Sequence, residues 1–413
     1  MQFSSLGQRL TPTVITRLMK QALETPGLIS LAAGFTDTQS LPVDFVRRAT
    51  TDLLARDGAS AFLQYGTNAG RLPLRQEIAR RIATADRLNA LPEEDVFLTN
   101  GSQQALFLAL ATLCDPGDII FVQAPTYFVF LENTKALGLD VRSLPADESP
   151  DCLRKDFGQT LDALITAGEK DRCQAVYLVS YFANPSSRTL SAESKTALAE
   201  TLHERDMHPA IIEDAAYRDL YFHTPAHAPG LFADPAFDVF PRLYLGTLTK
   251  PFASGLKVGY GICPENSWRE KILALKGNAD FGSPQWNQAI LEYVLQKGLL
   301  EEHLERIRPL YAAKMNALDE ALRATPLPDL GWNWERPEGG LYLWLEGPPG
   351  TDARATAPLF QNAINAGVLY VPGDLCFAPD RDGRRFVRLS FGNSPAGSFP
   401  EAARRFAQAC RED

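Results

Sequence analysis

Residues 242–264, RLYLGTLTKPFASGLKVGYGICP, decide how the chain is read. Two apolar runs, 242–246 and 258–263, flank a polar elbow that carries Lys250 and a Ser-Gly pair. Runs this short, bounded by Gly and Pro, suit buried strands better than helices. An amine held between two buried strands has an apolar setting on both sides and is a usable nucleophile. Such lysines form Schiff bases with carbonyl compounds. A lone loop lysine is far more often a solvated surface residue, so the rest of the chain must decide.

Upstream, short apolar runs recur at 96–100, 119–123, 141–145, 175–180 and 210–215, with helical patterns between most of them, as at 102–113 and 192–205. Alternating strands and helices imply crossover connections, and so an α/β architecture with a mostly parallel seven-stranded sheet between helices. Ligands of such sheets lie at the carboxyl ends of the strands. Downstream, a helical region over 291–324, one helix or two, leads to apolar runs at 340–346, 368–373 and 386–391. Helical patterns near 353–366 and from about 400 complete a smaller α+β domain. The beginning of the chain reads as an arm with one helix over 13–24, a small-residue segment ISLAAGF at 29–35, and a helix over 42–56. A Gly/Asn loop with Tyr65 and a helix from 72 follow. The expected division is an arm and part of the small domain at 1–45, a large domain at 46–290 and a small carboxyl-terminal domain at 291–413. Residues 146–155, polar and irregular, read as a surface loop.

At 413 residues the chain is too long for one small core. It has 41 basic and 50 acidic residues, a net charge of −9, and no basic tract, which argues against nucleic acid and anionic membranes. No apolar run approaches the roughly 18 residues of a membrane span, and the first twenty residues lack a secretory apolar block. Six cysteines at 114, 152, 173, 263, 376 and 410 are scattered without a CxxC pair. They read as reduced thiols, and the expectation is a soluble cytoplasmic protein without a metal site.

Several polar residues fall at predicted strand ends. TNGSQQAL places Gly101, Ser102 and Gln103 where a strand meets a helix, a ready phosphate site, although Ser102 reads equally as a plain helix cap. Thr247, Thr249 and Lys257 flank the Lys250 elbow and could complete a phosphate cup. Tyr127 in PTYFVF could stack on a flat ring or be an ordinary core tyrosine. Asn184, before Pro185, suits a turn. In IIEDAAY, Glu213 and Asp214 end a strand and Tyr217 follows. A buried carboxylate needs a partner; a protonated pyridine nitrogen would serve, and so would a cap on the next segment. Arg388, inside the apolar run RLSFGN, needs an anion, whether a substrate carboxylate held by its planar fork or an acidic side chain of the protein.

Taken in order and at these spacings, GTLTKPFASGLKVGY, TNGSQQAL, IIEDAAY and LQYGTNAGRLPLRQEIA resemble fold type I pyridoxal 5′-phosphate (PLP) aminotransferases of class I/II, nearest the aminoadipate/kynurenine aminotransferase-like group. The resemblance runs nearly end to end. It implies that Lys250 carries PLP as a Schiff base and that Asp214 pairs with the pyridine nitrogen. Asn184 and Tyr217 would bond the phenolic oxygen, and Tyr127 would stack on the ring. Gly101, Ser102, Gln103, Thr247, Thr249 and Lys257 would surround the phosphate, with Tyr65 reaching the site of a neighbouring subunit in a homodimer. Arg388 would hold the substrate α-carboxylate, aided by backbone near Gly34 and by Asn184, with Arg17 lining the pocket.

The resemblance implies transfer of an amino group from an L-α-amino acid to a 2-oxo acid. Lyase or decarboxylase chemistry on the same fold is the alternative, and a PLP-sensing transcriptional regulator a remote one. That last reading is disfavoured because the chain starts almost directly with the arm and has no basic patch. Two departures from the family pattern stand out. Lys257 replaces the usual Arg, losing the bidentate fork, and Asn184-Pro185-Ser186-Ser187 replaces NPTG.

Overall fold

The computed structural model describes residues 2–10, 12–14, 16, 18, 20 and 24–411. Half of the helix expected over 13–24 falls outside them, as does Arg17. After β1 (Ile29–Ser30) the chain builds β2 (Val96–Thr99), β3 (Ile119–Val122), β4 (Asp140–Ser143), β5 (Cys173–Val179), β6 (Ala210–Asp214), β7 (Arg242–Thr247) and β8 (Gly259–Ile262). All seven from β2 onward share one sheet in the order β2-β8-β7-β6-β5-β3-β4. Only β8 runs against its neighbours, β2 and β7. The other adjacent pairs are parallel. Each predicted strand is present, shifted by a residue or two at its ends.

Alternation along the strands fills a core on each face. Tyr177, Ile212 and Leu245 pack with Leu106 and Ala109 of helix Ser102–Leu113 on one side. Val176, Leu178, Ile211 and Tyr244 pack on the other with Leu198 and Leu202 of helix Ala192–His203. Strands buried on both faces need apolar residues at every position, which is why these runs do not alternate with polar residues.

A second sheet is antiparallel, in the order β12-β13-β10-β9, from β9 (Asn333–Trp334), β10 (Tyr342–Glu346), β12 (Val371–Pro372) and β13 (Phe386–Ser390). Beside it β1 pairs in parallel with β11 (Val368–Leu369), tying the beginning of the chain to its last third. The helical region after 278 is two helices, Gln285–Gln296 and Leu299–Arg323. They are broken at Gly298, whose φ of 67° lies in the left-handed region. The surface loop expected at 146–155 is corrected. The chain turns helical at Pro150, and a wide turn over Leu153–Phe157 buries Leu153 and Phe157 against the sheet, which a polar average over the window concealed.

Candidate functional site

The carboxyl ends of β3, β5, β6 and β7 open into a cavity of about 180 Å³. Gly101, Ser102, Gln103, Tyr127, Asn184, Asp214, Tyr217, Thr247, Thr249, Lys250 and Lys257 line it, with Val179 and Ala216. Eleven residues scattered over 157 positions of sequence thus converge, because consecutive strands point their ends the same way.

One pole of the cavity is positive. Helix Ser102–Leu113 begins there, its first turn has no side-chain cap, and Gly101 precedes it at φ 77°. Ser102 is therefore not the cap that one reading of it expects; it is the first helical residue. A Cβ on Gly259 would lie 2.4 Å from the Gly101 carbonyl carbon and the Ser102 amide nitrogen, so a glycine on β8 lets this loop close in. Lys257 stands alongside with a left-handed φ of 53°. The Thr249 hydroxyl is buried without a partner among the described residues. Thr247 is more occupied: its hydroxyl donates to the Val258 carbonyl and accepts from the Thr249 amide, holding the elbow.

The opposite pole is Asp214, 4% exposed. Its Oδ1 accepts from the Ala216 amide at 3.0 Å and its Oδ2 from the Tyr177 hydroxyl at 3.0 Å. The first of these is the local cap that the sequence allowed, but among the described residues no cation faces the carboxylate. Burial raises its pKa to about 6, against those two hydrogen bonds. Glu213, one residue earlier, shows the contrast: it is neutralised by Lys195 at 2.5 Å, both side chains being at most 2% exposed. Asp214, by contrast, faces the cavity with no such partner among the described residues.

Between the poles, Lys250 is half-buried and its Nζ donates to the Gly34 carbonyl at 2.7 Å. The apolar setting expected on both sides is thus polar on one, supplied by a segment 216 residues earlier. The Tyr217 ring centroid is 5.9 Å from Nζ. Burial, with Tyr342 alongside, pushes the Tyr217 phenol well above its ordinary pKa, so it remains a hydrogen-bond donor. Burial likewise raises Tyr127, whose hydroxyl donates to Gln103 Oε1.

Arg388 lies just behind this cavity, 1% exposed. Nη1 donates to Asn184 Oδ1 and Nη2 to the Ala32 carbonyl, both at 2.7 Å, and Nε has no partner among the described residues. The internal salt bridge that the sequence left open is absent among the described residues. A buried guanidinium surrounded only by neutral groups is costly unless an anion arrives. Asn184 uses its oxygen on Arg388, which leaves its amide hydrogens for the cavity. Tyr65 does not join the site of its own chain; it is 79% exposed, edge-on to Phe281 at 5.6 Å.

Sequence reasoning missed Tyr177 and Tyr342. Tyr177 shares its face of β5 with Val179, a residue of the cavity wall. Tyr342 packs its ring 4.3 Å from the Arg388 guanidinium. Alternation along a strand could have flagged both, had the strand pairing been known. A wider cleft of about 670 Å³ shares only Thr247 with the site, and its Arg81, Asp219 and Glu301 are already paired together.

A positive loop at one end, an unmatched buried carboxylate at the other and a lysine between them suit a cofactor with a phosphate and a basic ring nitrogen. The fold and site define a fold type I PLP enzyme. Comparison with known proteins agrees. The chain is 31% identical to aromatic-amino-acid aminotransferase 1 of Thermococcus litoralis, over 100% of this chain and 94% of that one. Its structure superposes on a kynurenine aminotransferase of Pyrococcus horikoshii in complex with PMP (TM-score 0.88, 27% identity, 99% and 97% of the two chains). It also superposes on an α-aminoadipate aminotransferase of Thermus thermophilus complexed with N-(5′-phosphopyridoxyl)-L-leucine (TM-score 0.83, 29% identity, 99% and 97% covered). The model of the aminotransferase class I and II family matches residues 26–406. The chain belongs to that family: it is a PLP-dependent aminotransferase, moving an amino group from an amino acid to a 2-oxo acid.

Proposed function

We propose that Lys250, Asp214 and Arg388 divide the work of this transamination, with Lys250 as the residue that carries PLP. The observation that carries the reading is the pair of unmatched buried charges, Asp214 and Arg388, on either side of the lysine. Bound PLP supplies an electron sink for the bond broken at the substrate Cα. Asp214 holds a proton on the ring nitrogen by charge pairing. Asn184 and Tyr217 donate to the phenolic oxygen, and Tyr127 covers the ring. The amides of Gly101, Ser102 and Gln103, with Thr247, Thr249 and Lys257, hold the phosphate. Lys250 Nζ, kept in place by the Gly34 carbonyl, moves the proton from the substrate Cα at short range. Arg388 grips the α-carboxylate in its fork, with Asn184 and the backbone around Gly34 shaping that end; Arg17 lines the pocket in this reading.

The donor is an L-α-amino acid that keeps its carboxylate; the relatives above are named for aromatic, kynurenine and aminoadipate substrates. Residues 46–290 form the PLP-binding domain in this proposal. Residues 1–45 and 291–413 form the smaller one, a grouping supported by the β1–β11 pairing. Tyr65, Leu63 and Phe281, all at least 66% exposed, make an apolar patch that a second copy would cover, placing Tyr65 at the partner's phosphate in a homodimer. A cytoplasmic location agrees with scattered cysteines that include no CxxC pair. No helix among the described residues is long and apolar enough to cross a membrane.

Absorption spectra of the protein with PLP test the assignment. Wild type should show a cofactor band that Lys250→Ala abolishes. One L-amino acid of a panel should convert the band, and a 2-oxo acid should restore it. A folded protein without a Lys250-dependent band rejects the lysine assignment. A band that no donor converts, with carbon dioxide or ammonia released instead, moves the chemistry to a decarboxylase or lyase.

A further inference from the structure

Tyr342 opens β10 and is 1% exposed. Strand pairing sets Arg388 opposite Trp344, so Tyr342 stands diagonal to Arg388 on the same face. Its ring packs on the guanidinium, while its hydroxyl lies 2.9 Å from the Tyr217 hydroxyl. A Cβ at Gly34 would sit 2.7 Å from that hydroxyl, so the missing side chain at 34 makes room for it. The Tyr342 carbonyl accepts from Ser187 Oγ at 2.8 Å, and Ser187 adopts φ 55°, a left-handed conformation in the turn that follows Asn184. Through its ring, its hydroxyl and its backbone carbonyl, one residue thus touches four separate pieces of the site.

We propose that Tyr342 is a positioning residue for transamination: its hydroxyl donates to Tyr217 and so aims the Tyr217 proton into the cavity, while its ring seats Arg388. The proposal rests on the cofactor reading above. Hydrogen counting supports the direction. The two phenols share one hydrogen bond, which either oxygen could donate. Tyr217 faces the cavity and Tyr342 does not. If Tyr217 donated to Tyr342, it would have no proton left for a cavity ligand. With Tyr342 as donor, the Tyr217 proton is free, and a donor that itself accepts a hydrogen bond is strengthened. Tyr342 has no other hydroxyl partner among the described residues, so removing it changes Tyr217 alone.

The test uses the holoenzyme and the pH titration of its cofactor absorption band. A donor aimed at the phenolic oxygen favours its ionised form, so weakening that donor moves the transition to higher pH. Tyr342→Phe should raise the midpoint by about half a pH unit. It should lower kcat several-fold and leave KM for the amino acid within about twofold, since the ring on Arg388 is kept. Tyr342→Leu should in addition raise KM about tenfold. In a Tyr217→Phe background, Tyr342→Phe should no longer move the midpoint, because the route through Tyr217 is gone. An unmoved midpoint in Tyr342→Phe, or equal movement with and without Tyr217, overturns the proposal. Absence of a Lys250-dependent band in wild type instead overturns the cofactor reading beneath it.

Discussion

Replacing Asp214 by Asn should stabilise the cofactor-free fold at pH 8 while disabling the enzyme. Burial raises the Asp214 carboxyl from its ordinary 3.8 to about 6. At 1.36 kcal/mol per pH unit that corresponds to about 3 kcal/mol of destabilisation of the charged form. The sign follows from proton binding: the folded chain holds this proton more tightly than the unfolded chain. The penalty is therefore complete above about pH 6 and gone below the unfolded value near 4. Asparagine keeps the size, its oxygen can still accept from the Ala216 amide, and the Tyr177 hydroxyl can turn to accept from the new amide. Urea midpoints of the two cofactor-free proteins, measured from pH 8 to pH 4, should differ by about 3 kcal/mol at pH 8 and converge toward pH 4. With PLP bound, the order should reverse, because Asp214 then has its cation, and kcat of the Asn variant should fall at least about a hundredfold. A difference independent of pH, or an Asn variant less stable at pH 8, refutes the picture of Asp214 as an unmatched buried anion.

Other substitutions probe the remaining parts of the site. Arg388→Lys keeps the charge but cannot reach Asn184 and Ala32 together; KM for the amino acid should rise about ten- to a hundredfold in steady-state kinetics. Gly259→Ala pushes a methyl into the Gly101–Ser102 backbone, so the PLP dissociation constant, read by fluorescence titration, should rise more than about tenfold. Ser187→Gly relieves a left-handed φ and loses the bond to Tyr342, nearly cancelling; the urea midpoint should stay within about 1 kcal/mol of wild type. Ser187→Val loses the bond and keeps the strained φ, and should cost at least about 2 kcal/mol.

Much of this is legible in the sequence alone. Strands β2, β3, β5, β6, β7 and β8 could be read because they are largely buried on both faces, which leaves near-continuous apolar runs, whereas β4, at the sheet edge, is only half-buried. The cavity residues could be read because a parallel sheet sends its loops to one edge. Lost to the sequence were contacts made by pairing. That Ala32 and Gly34 present carbonyls to Arg388 and Lys250 follows from β1 pairing with β11 and from the Leu31 carbonyl accepting the Ser390 amide. No local pattern encodes that. Tyr342 was hidden for the same reason: it looks like an ordinary aromatic strand residue until the register of β10 on β13 places it beside Arg388. Ser187 stands where the family pattern has glycine, and its backbone keeps a left-handed φ of the kind glycine favours.

The hydrogen bond from Arg388 to the Ala32 carbonyl joins residues 356 apart. On a ribosome adding roughly 5–20 residues per second, the first of these waits on the order of tens of seconds for the second. The strands of the large sheet are all made by residue 262. On the proposed division of the chain, the residues assigned to PLP thus exist well before Arg388, the residue assigned to the amino acid. If the large domain folds by itself, loading with cofactor and competence for turnover are separate events, and a stalled chain ending before β13 should be coloured by its cofactor yet inactive.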